Sequence, residues 1–189
     1  MTLHPEVDAV VTATLHPNDA LLLPTGHDIL RSFGAEHPTD DHPVLVVVTV
    51  PARRHRERAE ALQTAHETQA GDAVLATSAR VLMDCAQARA TLIGQIDRWA
   101  AETVSEPSTA ALLHTETLGR LVDRMATTWA CWQQLHAGMP ASRRVPVGHP
   151  TQAAMDEVAA LSNAYDDLPV DLRSGRRRLP TTAPVIADL

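Results

Sequence analysis

The sequence predicts an all-α bundle of four to six helices, and three observations carry that expectation. Three long stretches repeat apolar residues at the helical period, the connections between them are polar, and the one strand-like run has no second run to pair with. An irregular proline-rich N-terminal arm, residues 1–43, precedes the bundle domain, residues 44–189.

The arm is dense in His-Pro, Pro-Asn and Pro-Thr-Asp-Asp steps, which favour turns and extended backbone, with one short helix over Gly26 to Phe33. Val44 to Val50 has the composition of a buried strand. A lone strand leaves its backbone groups unpaired, so the run is read as a buried helical entry into Ala52 to Thr68, with Pro51 kinking or breaking it. From Asp72 to Glu102, Val74/Leu75, Val81/Leu82, Cys85, Leu92, Ile96 and Trp99 recur at a helical period. A helix of that length spans about 45 Å, more than one small domain needs to cover its core. Part of its apolar surface therefore needs cover elsewhere, which predicts a homodimer, the folded-back arm being the alternative.

Ser105-Glu106-Pro107-Ser108 ends that segment as a turn. Thr115 or His114 is placed to cap the next helix, with Glu116 in its first turn and Leu118, Val122, Met125, Trp129, Trp132 and His136 as its buried stripe. After Gly138-Met139-Pro140 and an Arg/Pro/Gly loop, a helix from Thr151 sets Met155, Val158, Leu161, Tyr165, Leu168 and Leu172 on one side. Trp99, Trp129 and Trp132 read as core residues.

Composition excludes several chemistries. The formal charge of -7 argues against a general nucleic-acid binder, which needs dense positive surface. All sixteen basic residues are arginine, so a P-loop lysine, a Schiff-base lysine and a lysine general base are ruled out. Cys85 and Cys131 fall on apolar helix faces and read as buried thiols in a reducing compartment. Met1 to Asp19 has no positively charged n-region, and no run approaches the ~20 apolar residues that span a bilayer. A cytoplasmic location with no membrane contact is expected.

His114-Thr115-Glu116-Thr117-Leu118-Gly119-Arg120-Leu121-Val122-Asp123-Arg124 concentrates the candidate chemistry. Glu116, Arg120 and Asp123 share one helix face at i, i+4, i+7 spacing, opposite the apolar stripe. One reading is a solvated face of ion pairs. The other is a pocket lip where Glu116 and Asp123, with His114, transfer protons while Arg120 and Arg124 hold an anionic small-molecule substrate. Gly119 costs about 1 kcal/mol inside a helix, and close approach of a ligand or another helix would account for it. His55 and His66 share a stripe with Ala59 and Leu62, either as satisfied core histidines or as substrate contacts lining one cavity with His114 and Glu116.

Zinc-site spacings, G-x-S-x-G and G-x-G-x-x-G are absent, so neither metal nor cofactor is expected. His4-Pro5, His16-Pro17, His37-Pro38 and His42-Pro43 read as loop punctuation. Arg173, Arg176, Arg177 and Arg178 follow a helix C-terminus, where they complement its dipole or bind a phosphate, a nucleotide-sugar or an acidic partner.

Three segments carry a resemblance. Leu113-His114-Thr115-Glu116-Thr117-Leu118-Gly119 with Val122-Asp123-Arg124-Met125, Leu92-Ile93-Gly94-Gln95-Ile96-Asp97, and Gly175-Arg176-Arg177-Arg178-Leu179-Pro180 resemble an uncharacterised bacterial family of helical proteins, a domain of unknown function. That family reads Leu-Asn-Thr-Glu-Thr-Pro-Gly then Ile-Asp-Arg-Leu, Leu-Ile-Glu-x-Ile-Asp, and Gly-Arg-Arg-Arg-Leu-Pro at these places. The resemblance implies a helical fold over about Asp41 to Pro180. This chain departs from the pattern with Arg89-Ala90-Thr91 where Arg-Asn-Asp is usual, and with Ala59 and Leu62 where bulky rings are common.

Two function classes follow. One is an enzyme of small-molecule or carbohydrate metabolism built on the carboxylates and arginines above. The other is a non-catalytic helical interaction or scaffold protein acting as a dimer. Enclosure of the carboxylates in a concave pocket separates them.

Overall fold

The computed structural model describes residues 23–35, 37, 40–66, 71–104, 110–137 and 149–180. Within them are five helices, α1 (Gly26–Gly34), α2 (Pro43–Ala65), α3 (Asp72–Thr103), α4 (Leu118–Ala137) and α5 (Pro150–Arg173). The fold is the expected all-α bundle. One correction applies: two-residue strands β1 (Leu112–Leu113) and β2 (Arg177–Arg178) pair in parallel, where the sequence offered no pairable strands. Strands this short show no alternation to read. The arm up to residue 22, the turn at 105–108 and the loop from Gly138 lie outside the described residues.

α1 starts at a capping box in which Thr25 Oγ1 accepts from the Asp28 N–H at 3.1 Å, and the Asp28 carboxylate accepts from the Thr25 N–H. It inserts Ile29 and Phe33 into the core, and its Gly26 N–H donates to Asp166 of α5 at 2.6 Å. His42 caps α2 by accepting from the Val44 N–H at 3.2 Å, with Pro43 in the first turn. The same pair recurs at α5, where His149 accepts from the Thr151 N–H ahead of Pro150. A His-Pro step read as loop punctuation is thus a helix start, because proline needs no hydrogen-bond partner in the first turn.

α2 continues through Pro51, where a kink or a break was expected, so the helix is not broken there. An internal proline costs about 3 kcal/mol. Val44, Leu45, Val47, Val48, Val50 and Ala52 are all buried around it, and at about 1.5 kcal/mol or more for each large side chain their burial outweighs that cost.

α3 is antiparallel to α2: its C-terminal Trp99 ring meets His42 at the start of α2, and Cys85 meets Glu57 further along. Leu92, Ile96, Trp99 and Ala100 enter the core. Before Cys85, α3 buries only Ser78 and leaves Val74, Leu75 and Met83 exposed. α4 supplies Leu118, Val122 and Met125, and α5 supplies Leu161, Tyr165 and Leu168. Of the two cysteines only Cys85 is buried; Cys131 is exposed, on the side of α4 away from its apolar stripe, which corrects the expectation of two buried thiols. Trp99 is a core residue as expected, but Trp129 sits at the core's edge and Trp132 is only half-buried. None of the described helices is long and apolar enough to cross a membrane.

Candidate functional site

α4 begins at Leu118, so the expected start at Thr115 is three residues too early. Thr117 is the capping residue: its carbonyl accepts from the Leu121 N–H and its hydroxyl from the Arg120 N–H. Glu116 therefore lies ahead of the helix, and the expected single face of Glu116, Arg120 and Asp123 does not form. The start is fixed from α3. An ideal Cβ on Gly119 would stand 2.5 Å from the Ile93 carbonyl oxygen and 2.9 Å from Asp97 Oδ1. The Gly119 N–H donates to that buried carboxylate at 2.7 Å. Close approach of another helix is what keeps Gly119, and Asp97 places an internal anion at the positive end of α4.

Asp123 faces the waist of the bundle. Arg89 of α3 grips it with two prongs, Nε to Oδ1 at 2.9 Å and Nη2 to Oδ2 at 2.5 Å, and His55 of α2 meets Oδ1 at 3.2 Å. His55 is buried and the Asp123 side chain nearly so. Burial alone would raise the Asp123 carboxyl, but hydrogen bonds from His55 and Arg89 and the Arg89 charge outweigh it and hold it at about 2. The same bonds push the Arg89 guanidinium up.

Thr127 completes this cluster without forming a relay. Its hydroxyl donates to the Asp123 carbonyl at 2.8 Å, so its oxygen is left to accept from His55 Nε2 at 3.0 Å. One imidazole nitrogen thus serves both the carboxylate and the hydroxyl. A triad needs opposite nitrogens for those two partners. Beside this cluster Arg54 pairs with Glu57 at 2.7 Å, and the Cys85 thiol, pushed up by burial and by Glu57, lies 3.8 Å from that carboxylate.

Glu116 is held elsewhere, at the corner where α4 starts. It pairs with Arg124 at 3.0 Å, and its backbone engages His114 Nδ1. β1 and β2 join the same corner: the Leu112 N–H donates to Arg176 and the His114 N–H to Arg178. Asp171 at the end of α5 takes Arg176 at 2.6 Å and Arg177 at 3.0 Å, and the Arg176 hydrogen bond, ahead of the charges, lowers its carboxyl. Gly175, at φ 68°, makes the reversal between α5 and β2 that a side chain would strain. Arg120 is exposed in the first turn of α4, and neither it nor Arg178 is in an ion pair among the described residues.

The seven candidate residues therefore fall in three places. His114, Glu116, Arg120 and Arg124 share the corner; Asp123 and His55 share the waist; His66 is exposed at the end of α2, where the expected inward stripe does not reach. An open groove of about 740 Å³ between the ends of α2 and α4, lined by Arg56, Gln63, Trp132 and His136 among others, contains none of the seven. Sequence reasoning missed Arg89 and Asp171. Arg89 had a signal: it is the residue retained from the Arg-Asn-Asp triplet of the resembled family.

A model of a family described as a protein of unknown function, DUF4254, matches residues 47–181. No curated protein and no solved structure matches the chain.

Proposed function

We propose, for a chain that belongs to the DUF4254 family of proteins of unknown function, a non-catalytic role as a helical interaction protein that recognises an anionic partner at the α4 corner. The observation that carries this reading is the division of the charged residues. Asp123 is used up as an anchor between α2, α3 and α4, while Arg120, Arg124, Arg176, Arg177 and Arg178 lie at one corner where Glu116 and Asp171 are the carboxylates in ion pairs among the described residues. Guanidiniums held in place by neighbouring carboxylates offer fixed forks to carboxylate or phosphate. In a chain of net charge -7 that corner is a local reversal of sign.

The enzymatic reading places Glu116 and His114 beside the same anion, with His114 Nε2 turned to it. Titration calorimetry with inorganic pyrophosphate and with an oligoglutamate peptide separates the two. On the docking reading Glu116→Gln leaves anion binding unchanged or tighter, since it removes the charge opposing Arg124, and Arg120→Glu weakens it about tenfold. No saturable binding of either probe, or loss of binding in Glu116→Gln, contradicts the proposal.

We place the protein in the cytoplasm as a homodimer. Support comes from two free thiols and from the N-terminal part of α3, where the exposed Leu75 and Met83, at i, i+8 spacing, offer a face for a second copy.

A further inference from the structure

We propose that the outer edge of β1 receives an extended acidic peptide segment of a partner protein as a third strand. The inference rests on the docking reading of the α4 corner and adds to it the form of the partner.

Backbone geometry supplies the first argument. The Leu112 N–H donates to the Arg176 carbonyl at 3.0 Å and the His114 N–H to the Arg178 carbonyl at 2.8 Å, so both point at β2. Successive backbone groups in a strand alternate sides, which turns the N–H and C=O of Leu113 to the opposite edge. The described residues contain no other strand to take them. Such an edge is a template for an added strand.

Side chains supply the second. Leu112 is 72% exposed and Leu113 53%, the former matched among the described large apolar residues only by Met83. Register sets Leu112 beside Arg177 on one face of the ladder and Leu113 beside Arg178 on the other. Each face therefore presents a leucine next to the open edge and an arginine one strand further in. A strand added at about 4.8 Å from β1 would lay apolar side chains on the leucines, and its glutamates would reach across to the arginines.

The third argument is that the template is already built. Gly175 makes the turn, and Asp171 ties down Arg176 and Arg177, so little ordering on this side opposes docking. Charge selects the partner: a basic edge on an otherwise acidic chain repels other copies of itself and attracts a segment rich in glutamate or aspartate.

The test is fluorescence anisotropy of a labelled octapeptide of alternating valine and glutamate against the full chain. Saturable binding is expected, weakened at least tenfold by Arg177→Glu with Arg178→Glu, and separately by Leu113→Asp, each variant checked for an unchanged helical circular dichroism spectrum. The lysine counterpart of the peptide and a version with alternate N-methylated amides, which keeps the charge but breaks the ladder, should not bind. Equal binding of the N-methylated peptide overturns the added strand while leaving an anion-recognising corner in place. Binding to vesicles of anionic phospholipid but not to the peptide overturns it in favour of a membrane surface. Failure of the peptide, of pyrophosphate and of vesicles alike removes both the strand and the docking reading beneath it.

Discussion

Asp123 keeps its charge at the waist of the bundle because Arg89 of α3 and His55 of α2 are aimed at its carboxylate. A carboxyl held at about 2 instead of 3.8 favours the folded state by about 2 kcal/mol at neutral pH. Its folded pKa is depressed, so this stabilisation is complete above about pH 4 to 5 and drains away as pH falls towards 2. Urea unfolding of the native chain should lose that increment across this window, and Asp123→Asn should lack that part of the acid dependence; an unchanged acid limb in the variant would count against the anchor. Asp123 stood out in the sequence on a charged face opposite an apolar stripe, and His55 within a stripe. Their partnership did not, because residues 55, 89 and 123 come from three helices and no spacing along one chain encodes that meeting. His66 shows the converse error: period alone extended a stripe past the last turn that packs.

Helices were more legible than the points at which they begin. The valine run of α2 was readable as helix by elimination, since no second strand existed for it, yet its passage through Pro51 depends on a burial that only tertiary packing provides. The start of α4 was misplaced because His114, Thr115 and Thr117 are all plausible caps, and the choice is made by Asp97 of α3 bonding to Gly119. Gly119→Ala tests that crossing. Its methyl would press on the Ile93 backbone, which cannot move aside as a flexible side-chain end would, so a loss of about 1–3 kcal/mol in thermal or urea unfolding is expected. A neutral or stabilising result, as helix propensity alone would give, would mean that α3 and α4 are not locked at this point. The β1–β2 pairing was beyond reach of periodicity altogether, although the two segments that form it belong to two of the three motifs that suggested a family.

At the scale of the molecule, the charged residues divide by depth. Those between helices hold the bundle in register, and those at the α4 corner face solvent with excess positive charge. The long α3 poses a separate question of cover, and Met83→Glu bears on it: light scattering should give a dimeric mass for the native chain at micromolar concentration and a monomeric one for the variant. A native monomer would assign the exposed face of α3 to something other than self-association. The division by depth is tested most directly by urea unfolding of Asp123→Asn and Arg120→Glu side by side at neutral pH. Removing the charge that Arg89 and His55 grip should cost about 2–3 kcal/mol, and reversing an exposed, unpaired charge at the corner no more than about 0.5 kcal/mol. The reverse order, with Asp123→Asn as stable as the native chain and Arg120→Glu strongly destabilised, would contradict the assignment of Asp123 to architecture and of the corner to recognition.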